Sequence, residues 1–238
     1  VYLQQVRKIK ADVIRLCETR RAKEVSAKWF SGEEVMLGKA AENTPRTGGV
    51  GFIVKAALVP LIISCDILSP RVAVLKLKVQ RSGKRTLKIV QVYAPTLLAE
   101  DDEVERFYEE VETALDVKST YTIVQGDFNA NDRGIRLVEF TEQHHFSIMN
   151  TFFEKIAKRQ WMWRSADART LNQIDYVLTD TARLFADVSV IGESIIATGS
   201  DHRLVRSTVV FDVRKEYQIL HAQRVLTRRT FNADLFMA

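Results

Sequence analysis

The chain has 238 residues, 46% hydrophobic and 27% charged, enough apolar material for a large core and no sign of a small scaffold that needs staples. Its two cysteines, Cys17 and Cys65, stand far apart in no metal-like spacing, which argues against a disulfide framework and for a reducing compartment. No apolar run approaches the ~18–20 residues that span a bilayer, and a formal charge of +5 with a pI of about 9.2 fits a polyanionic partner such as nucleic acid without requiring one.

In chain order, Leu3, Val6 and Ile9 fall on one face of a predicted helix over residues 1–10. Residues 13–17 predict a short strand ending at Glu18-Thr19-Arg20-Arg21, a carboxylate at a strand mouth followed by two arginines. Taken alone, that stretch reads as a solvated loop. Residues 29–37 predict a hairpin and residues 43–49 a loop of turn formers. Residues 48–54 pass from glycines into a strand, without the Lys-Ser/Thr ending of a phosphate-cradling loop. The apolar run over 56–63 is broken by Pro60. Leu75, Leu77 and Val79 alternate with Lys76 and Lys78, which predicts a half-buried strand over 72–79. Ser82-Gly83 marks a turn, and residues 86–93 pair back as a second arm, stopped by Pro95. An acidic helix is predicted over 101–117, with Val104, Phe107, Tyr108, Val111 and Leu115 as its apolar face.

The next run, residues 121–124, stops at Gly126, and Asp127 and Asn129 follow at i and i+2. On a strand those two side chains share a face, with Phe128 turned to the core. Residues 134–145 predict a helix with Ile135, Leu137, Val138 and Phe140 inward. His144 and His145 at its end point apart, a poor metal pair but favourable to the helix dipole. Further strands are predicted over 147–150, 161–163, 170–179, 188–191 and 204–211, with the polar corner Gly199-Ser200-Asp201-His202 entering the last. Trp161 and Trp163 suit core or rim packing. From residue 213 the pattern dissolves into a basic C-terminal extension or linker over 213–238, leaving residues 1–212 as one domain. Many strands, few helices and hairpin neighbours together predict an α+β domain with largely antiparallel sheets and outer helices.

The polar groups repeat one placement. Glu18, Tyr93, Asp127 with Asn129, Asp175, and Asp201 with His202 each close an apolar strand. If those strands lie side by side, their ends form one acidic rim. Carboxylates and water suit Mg²⁺, a hard cation that keeps several waters, whereas Zn²⁺ wants His or Cys clusters that are missing here. A His beside a carboxylate is held in one tautomer or kept protonated. Such a rim suits hydrolysis of a phosphoester: metal and imidazolium stabilise negative charge while a carboxylate directs water at phosphorus.

Glu18 after its strand, Tyr93-Ala94-Pro95, Gly126-Asp127-Phe128-Asn129, Ile174-Asp175-Tyr176 and Ser200-Asp201-His202 occur in the order seen in the endonuclease/exonuclease/phosphatase superfamily. More narrowly, the chain resembles the apurinic/apyrimidinic-type endonuclease domain of non-LTR retrotransposons, of RTE-like type. Leu16-Cys17-Glu18-Thr19-Arg20, residues 48–54 and the basic extension are similar to that branch too, and the likeness runs over roughly residues 1–211. The resemblance implies a four-layered α/β sandwich, two mainly antiparallel sheets flanked by helices. It implies Mg²⁺, with Mn²⁺ as a substitute, held by Glu18 with help from Asp201. It implies that Asp127 orients or deprotonates the attacking water and that Asn129 positions the phosphate or that water. Asp175 would hold His202 against the scissile phosphate, Tyr93 would hydrogen-bond a phosphate oxygen, and Thr170 would bind substrate. The implied activity is nicking of DNA. The implied setting has no membrane, an intracellular and nuclear location when acting on DNA, and a reverse transcriptase downstream in a parent polyprotein.

Two departures stand out. The family begins with a strand ending in Trp-Asn or a similar pair, and nothing before Glu18 supplies that Asn. The expectation is therefore an N-terminal truncation that lacks the first strand. Gln173 stands where a basic residue is often found. Two other readings compete: a decayed, non-catalytic DNA-binding remnant, and a phosphatase acting on inositol phosphates or lipids.

Overall fold

Residues 72–78 and 86–93 are rich in Val, Leu and Ile and have no glycine or proline, so they suit a buried sheet centre. In the computed structural model, which describes residues 11–42, 47–80, 83–130, 134–192 and 200–212, they do form one. The strands before them are β1 (Val13–Leu16), β2 (Val25–Lys28), β3 (Glu34–Leu37), β4 (Gly51–Val54) and β5 (Ile62–Ile67), and the central hairpin is β6 (Val72–Lys78) with β7 (Thr86–Tyr93). Helix α1 (Asp101–Leu115), β8 (Tyr121–Asp127), helix α2 (Gly134–Gln143) and β9 (Ser147–Ile148) follow. β10 (Trp163–Arg164), β11 (Leu171–Asn172), β12 (Asp175–Thr179), β13 (Phe185–Ile191) and β14 (Leu204–Val209) complete the described elements.

Six strands make one sheet in the order β5-β6-β7-β8-β12-β9, and four make a second, β1-β4-β3-β2; β13 with β14 and β10 with β11 form two-stranded ribbons. Among the described strands only β7 and β8 run parallel. A parallel pair needs a crossover, and α1 supplies it. Three acidic residues open α1 where the dipole favours them. At its other end Lys88 of β7, itself buried, donates to the carbonyls of Ala114 at 3.2 Å and Leu115 at 2.6 Å.

The six-stranded sheet is covered on both faces, which is why β7 is buried almost throughout. One face meets the second sheet and the β13–β14 ribbon through Phe52, Leu75, Ile89, Ile123, Val177 and Val188. The other meets α1 and α2 through Val74, Val90, Val124, Phe107, Val111 and Phe140. A smaller cluster of Ile14, Val35 and Ile53 lies apart from both.

Several expectations are corrected. The hairpin lies earlier than residues 29–37: Val25 pairs with Leu37 and Lys28 with Glu34, and Trp29 to Glu33 form its turn, with Gly32 at φ 94°. β5 was not anticipated; its apolar residues lack a clean alternation, and pairing with β6 makes the strand. α2 buries Leu137, Phe140 and Thr141, while Ile135 and Val138 are 75% and 46% exposed. Positions 137, 140 and 141 form an i, i+3, i+4 stripe, and 135 and 138 fall off it. The helix ends at Gln143, so His144 and His145 lie beyond it. The strand over 147–150 shortens to Ser147–Ile148, and only Trp163 of residues 161–163 enters a strand. The residue stretch 170–179 is split into β11 and β12. The helix over 1–10, part of the loop over 43–49, Gly199 and the extension over 213–238 lie outside the described residues.

Candidate active site

The parallel pair decides where the polar residues go. Because β7 and β8 run the same way, they end at the same edge, with Tyr93 opposite Asp127. β12 runs against β8 and begins there, with Asp175 opposite Asp127. Three adjacent strands thus place Tyr93, Asp127 and Asp175 in one row. Gly126 makes the close packing possible, since a Cβ there would run into the carbonyl of Val92.

Past Asp127 the chain turns. Asn129 has φ 46°, in the left-handed region that Asn tolerates. Its N–H donates to Asp127 Oδ1 at 2.9 Å, and its Nδ2 donates to the Ala94 carbonyl at 2.9 Å. The two residues meet as expected, but through this turn and not through strand alternation. Phe128 is buried against the helix layer.

His202 arrives on a separate segment stitched to β10. Arg203 N–H donates to the Met162 carbonyl at 2.7 Å and Arg164 N–H to the Asp201 carbonyl at 3.2 Å. The imidazole then lies between two carboxylates, with Nδ1 3.0 Å from Asp175 Oδ2 and Nε2 3.8 Å from Asp127 Oδ2. Asn150 braces the strand that carries Asp175: its Nδ2 donates to the Asp175 carbonyl at 3.0 Å, and its Oδ1 accepts the Val177 N–H at 2.9 Å.

Glu18 joins from the other sheet. Glu18 and Arg20 both have left-handed backbones, φ 49° and 51°, a strained arrangement that surrounding structure must hold. Here the Gly48-Gly49 loop holds it: Thr19 N–H donates to the Gly49 carbonyl and Arg20 N–H to the Gly48 carbonyl. A Cβ at Gly49 would lie 2.5 Å from Thr19 Oγ1, so the loop needs that glycine. Glu18 Oε1 accepts the Tyr93 hydroxyl, and Oε2 accepts Arg20 Nη2 at 2.6 Å. Arg71 lies over the Tyr93 ring, 5.3 Å from its centroid.

The electrostatics follow from crowding two buried carboxylates around one imidazole. Burial, reinforced by the neighbouring Asp175 charge, pushes Asp127 up to about 7. Asp175 is buried as well, and burial raises it, yet the His202 hydrogen bond and the Arg15 charge hold it below the usual carboxylate range. Burial lowers His202, but the bond to Asp175 and the charges around it outweigh that and raise it to about 9. Burial and the Glu18 carboxylate raise Tyr93, so it remains a hydroxyl donor. Cys17 beside this cluster is pushed by burial up to about 12 and stays a thiol.

Two predicted positions stand apart. Thr170 is exposed in the turn between β10 and β11, where its N–H and C=O bond to Ser165. Asp201 is exposed, and its Oδ2 accepts the indole N–H of Trp163 at 2.9 Å, which gives Trp163 a bracing place at the rim. Sequence reasoning missed Asn150, Arg71 and Arg15; the last is visible as a charge in the inward row of β1, between Val13 and Cys17. Among the described residues no three His, Cys, Asp or Glu side chains converge as a ready metal cage. The donor set still fits a hard cation in its water-rich form. Glu18 offers a carboxylate that is 39% exposed at the mouth of the cluster, and Mg²⁺ binds through one or two carboxylates, waters and substrate phosphate.

No protein-family model matches the chain. Craniofacial development protein 2 of Bos taurus is 28% identical over 232 residues, covering 86% of this chain and 37% of its own length. The protein of that name from Tragulus javanicus is 27% identical, covering 86% and 38%. The chain thus spans little more than a third of the length of these curated relatives. Among solved structures, the catalytic domain of Xenopus laevis APE2 superposes with a TM-score of 0.63 at 17% identity, over 90% of this chain and 89% of that one. An endonuclease/exonuclease/phosphatase family protein from Leptotrichia buccalis gives 0.62 at 14%, over 88% and 92%. The 3′ phosphatase NExo from Neisseria, bound to a product DNA hairpin, gives 0.60 at 14%, over 88% and 94%. The sandwich described above is therefore the endonuclease/exonuclease/phosphatase fold.

Proposed function

We propose that this chain hydrolyses phosphodiester bonds in DNA with Mg²⁺, nicking one strand, as the endonuclease domain of a non-LTR retrotransposon. The observation that carries this reading is the row Tyr93, Asp127 and Asp175 at one sheet edge, with the His202 ring lying between its two carboxylates. The fold's solved neighbours add weight to the substrate class: NExo holds a product DNA hairpin, and TDP2 from D. rerio is complexed with a single-strand DNA product.

Glu18 would hold the cation, with Asp201 offering the oxygen that Trp163 leaves free. A bound Mg²⁺ supplies charge stabilisation at the phosphate and lowers the energy of the leaving oxygen. The chain's own residues do the rest. Asp127, raised to about 7, is a base matched to neutral pH, able to take the proton of an attacking water. His202 remains a cation at neutral pH and would stabilise the negative charge that grows on the phosphate. Asp175 accepts the hydrogen bond of its Nδ1–H and so fixes the ring orientation that presents Nε2–H. Asn129 ties the Asp127 carboxylate to the loop after β7. The hydroxyl of Tyr93 donates to Glu18 and would turn its proton to a phosphate oxygen once substrate is bound. Water adds to phosphorus as Asp127 takes its proton, the bond from phosphorus to the 3′ oxygen breaks, and that oxygen takes a proton from solvent and leaves as a free hydroxyl. In a retrotransposon the hydroxyl primes reverse transcription by a downstream polymerase.

The retrotransposon assignment rests on the resemblance of Leu16 to Arg20 and residues 48–54. β1 and β14 each have one strand partner among the described residues. A cavity of about 420 Å³ lies between them, bordered by Val13, Arg15, Ile89, Leu204 and Val209.

Supercoiled plasmid incubated with the protein and Mg²⁺ is expected to become open circles, with EDTA stopping the reaction. Absence of nicking, or undiminished nicking by His202→Ala, refutes the proposal. DNA binding that survives EDTA without any turnover would instead mark a non-catalytic remnant, and phosphate release from an inositol phosphate without nicking would mark a phosphatase.

A further inference from the structure

We infer that Arg15 is a positioning residue: its guanidinium fixes the carboxylate that aims the His202 ring. The inference rests on the phosphodiesterase reading above.

β1 alternates. Ile14 and Leu16 pack into the small outer cluster with Val35 and Ile53, while Val13 and Cys17 pack into the apolar core between the sheets. Arg15 lies in that same inward row. A third apolar side chain would satisfy packing there, and a desolvated guanidinium is costly unless paired. The Arg15 side chain is nevertheless only 14% exposed.

Its partner is Asp175. Arg15 Nη2 lies 3.4 Å from Asp175 Oδ1, and the Asp175 side chain is 7% exposed. β1 belongs to the four-stranded sheet and β12 to the six-stranded one, so this ion pair crosses the sandwich. The two oxygens of Asp175 have separate tasks: Oδ2 faces His202 Nδ1 at 3.0 Å, and Oδ1 faces Arg15. A carboxylate anchored through one oxygen can still swing about its Cβ–Cγ bond. A second anchor on the opposite oxygen sets the carboxylate plane, and with it the direction in which Oδ2 meets the imidazole. The far nitrogen of that ring is the one placed 3.8 Å from Asp127. A small rotation at Asp175 is therefore amplified at Nε2, where the reaction is carried out. Misplacement of a reacting group by about 1 Å costs on the order of 100-fold in rate. A role confined to balancing the buried charge would change stability and leave the ring's aim alone.

The test uses Arg15→Leu and Arg15→Lys in the plasmid assay. With Arg15→Leu, kcat is expected to fall about 100-fold with KM changed less than about 2-fold, and Lys is expected to recover at least about a tenth of the wild-type kcat. If circular dichroism shows Arg15→Leu unfolded, Arg15→Gln replaces it, keeping donors and volume without the charge. A kcat within about 3-fold of wild type, or a loss confined to KM, overturns the inference. A second measurement is independent of turnover. In nitrogen-labelled histidine NMR, the far-downfield His202 Nδ1 proton is expected in the wild type and is expected to shift or vanish in Arg15→Leu. If the wild type nicks no DNA, the phosphodiesterase reading fails, and this signal alone judges Arg15; an unchanged resonance overturns its positioning role.

Discussion

Replacing His202 by Ala gives the most demanding check on the electrostatics of the cluster. The ring is three-quarters buried and sits against Asp175 and Asp127. Folding raises its pKa from 6.5 to about 9, which corresponds to a ceiling of about 3 kcal/mol. Because the folded value is the higher one, that stability is fully present below pH 6.5 and is lost as pH rises through 9. Removing the imidazolium also lets Asp127 take up a proton more readily, since His202 is among the charges that hold it down; this trims the loss to about 2–3 kcal/mol. Urea unfolding of wild type and His202→Ala at about pH 6 is expected to differ by that amount, and the difference is expected to shrink below about 1 kcal/mol near pH 10. A difference that stays flat across this range would mean that His202 is neutral in the fold, and the account of the Asp175–His202–Asp127 cluster would fall with it.

The rate of nicking is expected to rise with pH through about 7, as Asp127 ionises, and to decline through about 9, as His202 loses its proton; a pH–rate profile with no acid limb removes Asp127 as the base. Gly126→Ala pushes a methyl into the Val92 carbonyl and is expected to cost about 3 kcal/mol or more in a urea titration; a cost below about 1 kcal/mol would show that β7 and β8 can part there. Phe52→Ala opens a hole in a fully buried position between the sheets, with an expected loss of about 3–5 kcal/mol by thermal or urea unfolding. Affinity for plasmid fragments, followed by fluorescence anisotropy, is expected to drop steeply with added salt; an affinity insensitive to salt would rule out binding through phosphates.

The parts of the site that lie on strands were legible because a strand end declares itself: an apolar run, then an isolated Asp. Asp127 and Asp175 could be named on that basis, and the structure sets them opposite each other. What lay beyond was the angle at which other segments arrive. Thr170 shares a stretch with Asp175, but the break between β11 and β12 leaves it in an exposed turn. Asp201 was paired by sequence with its neighbour His202, while Trp163 captures its carboxylate from another ribbon. Ile135 and Val138 were placed inward because they are apolar, although the stripe that α2 buries passes through Leu137, Phe140 and Thr141. The hairpin of β6 and β7 was found from alternation, but β5 was not, because partnership with β6 and not its own pattern makes it a strand.

The stitching of Arg203 and Asp201 onto the β10 segment bears on when during synthesis this protein becomes competent. Glu18, Tyr93, Asp127 and Asp175 are made first, whereas His202 follows Asp175 by 27 residues and lies near the end of the described chain. Domains of this size fold as units once their last elements leave the ribosome. Until the segment carrying His202 has emerged and docked, the nascent polypeptide holds the carboxylates without the imidazolium that lies between them in the fold. On the proposed mechanism such a nascent chain would be chemically silent, and loss of the chain beyond residue 200 would leave the six-stranded sheet with all its strands and the acidic row without its cation.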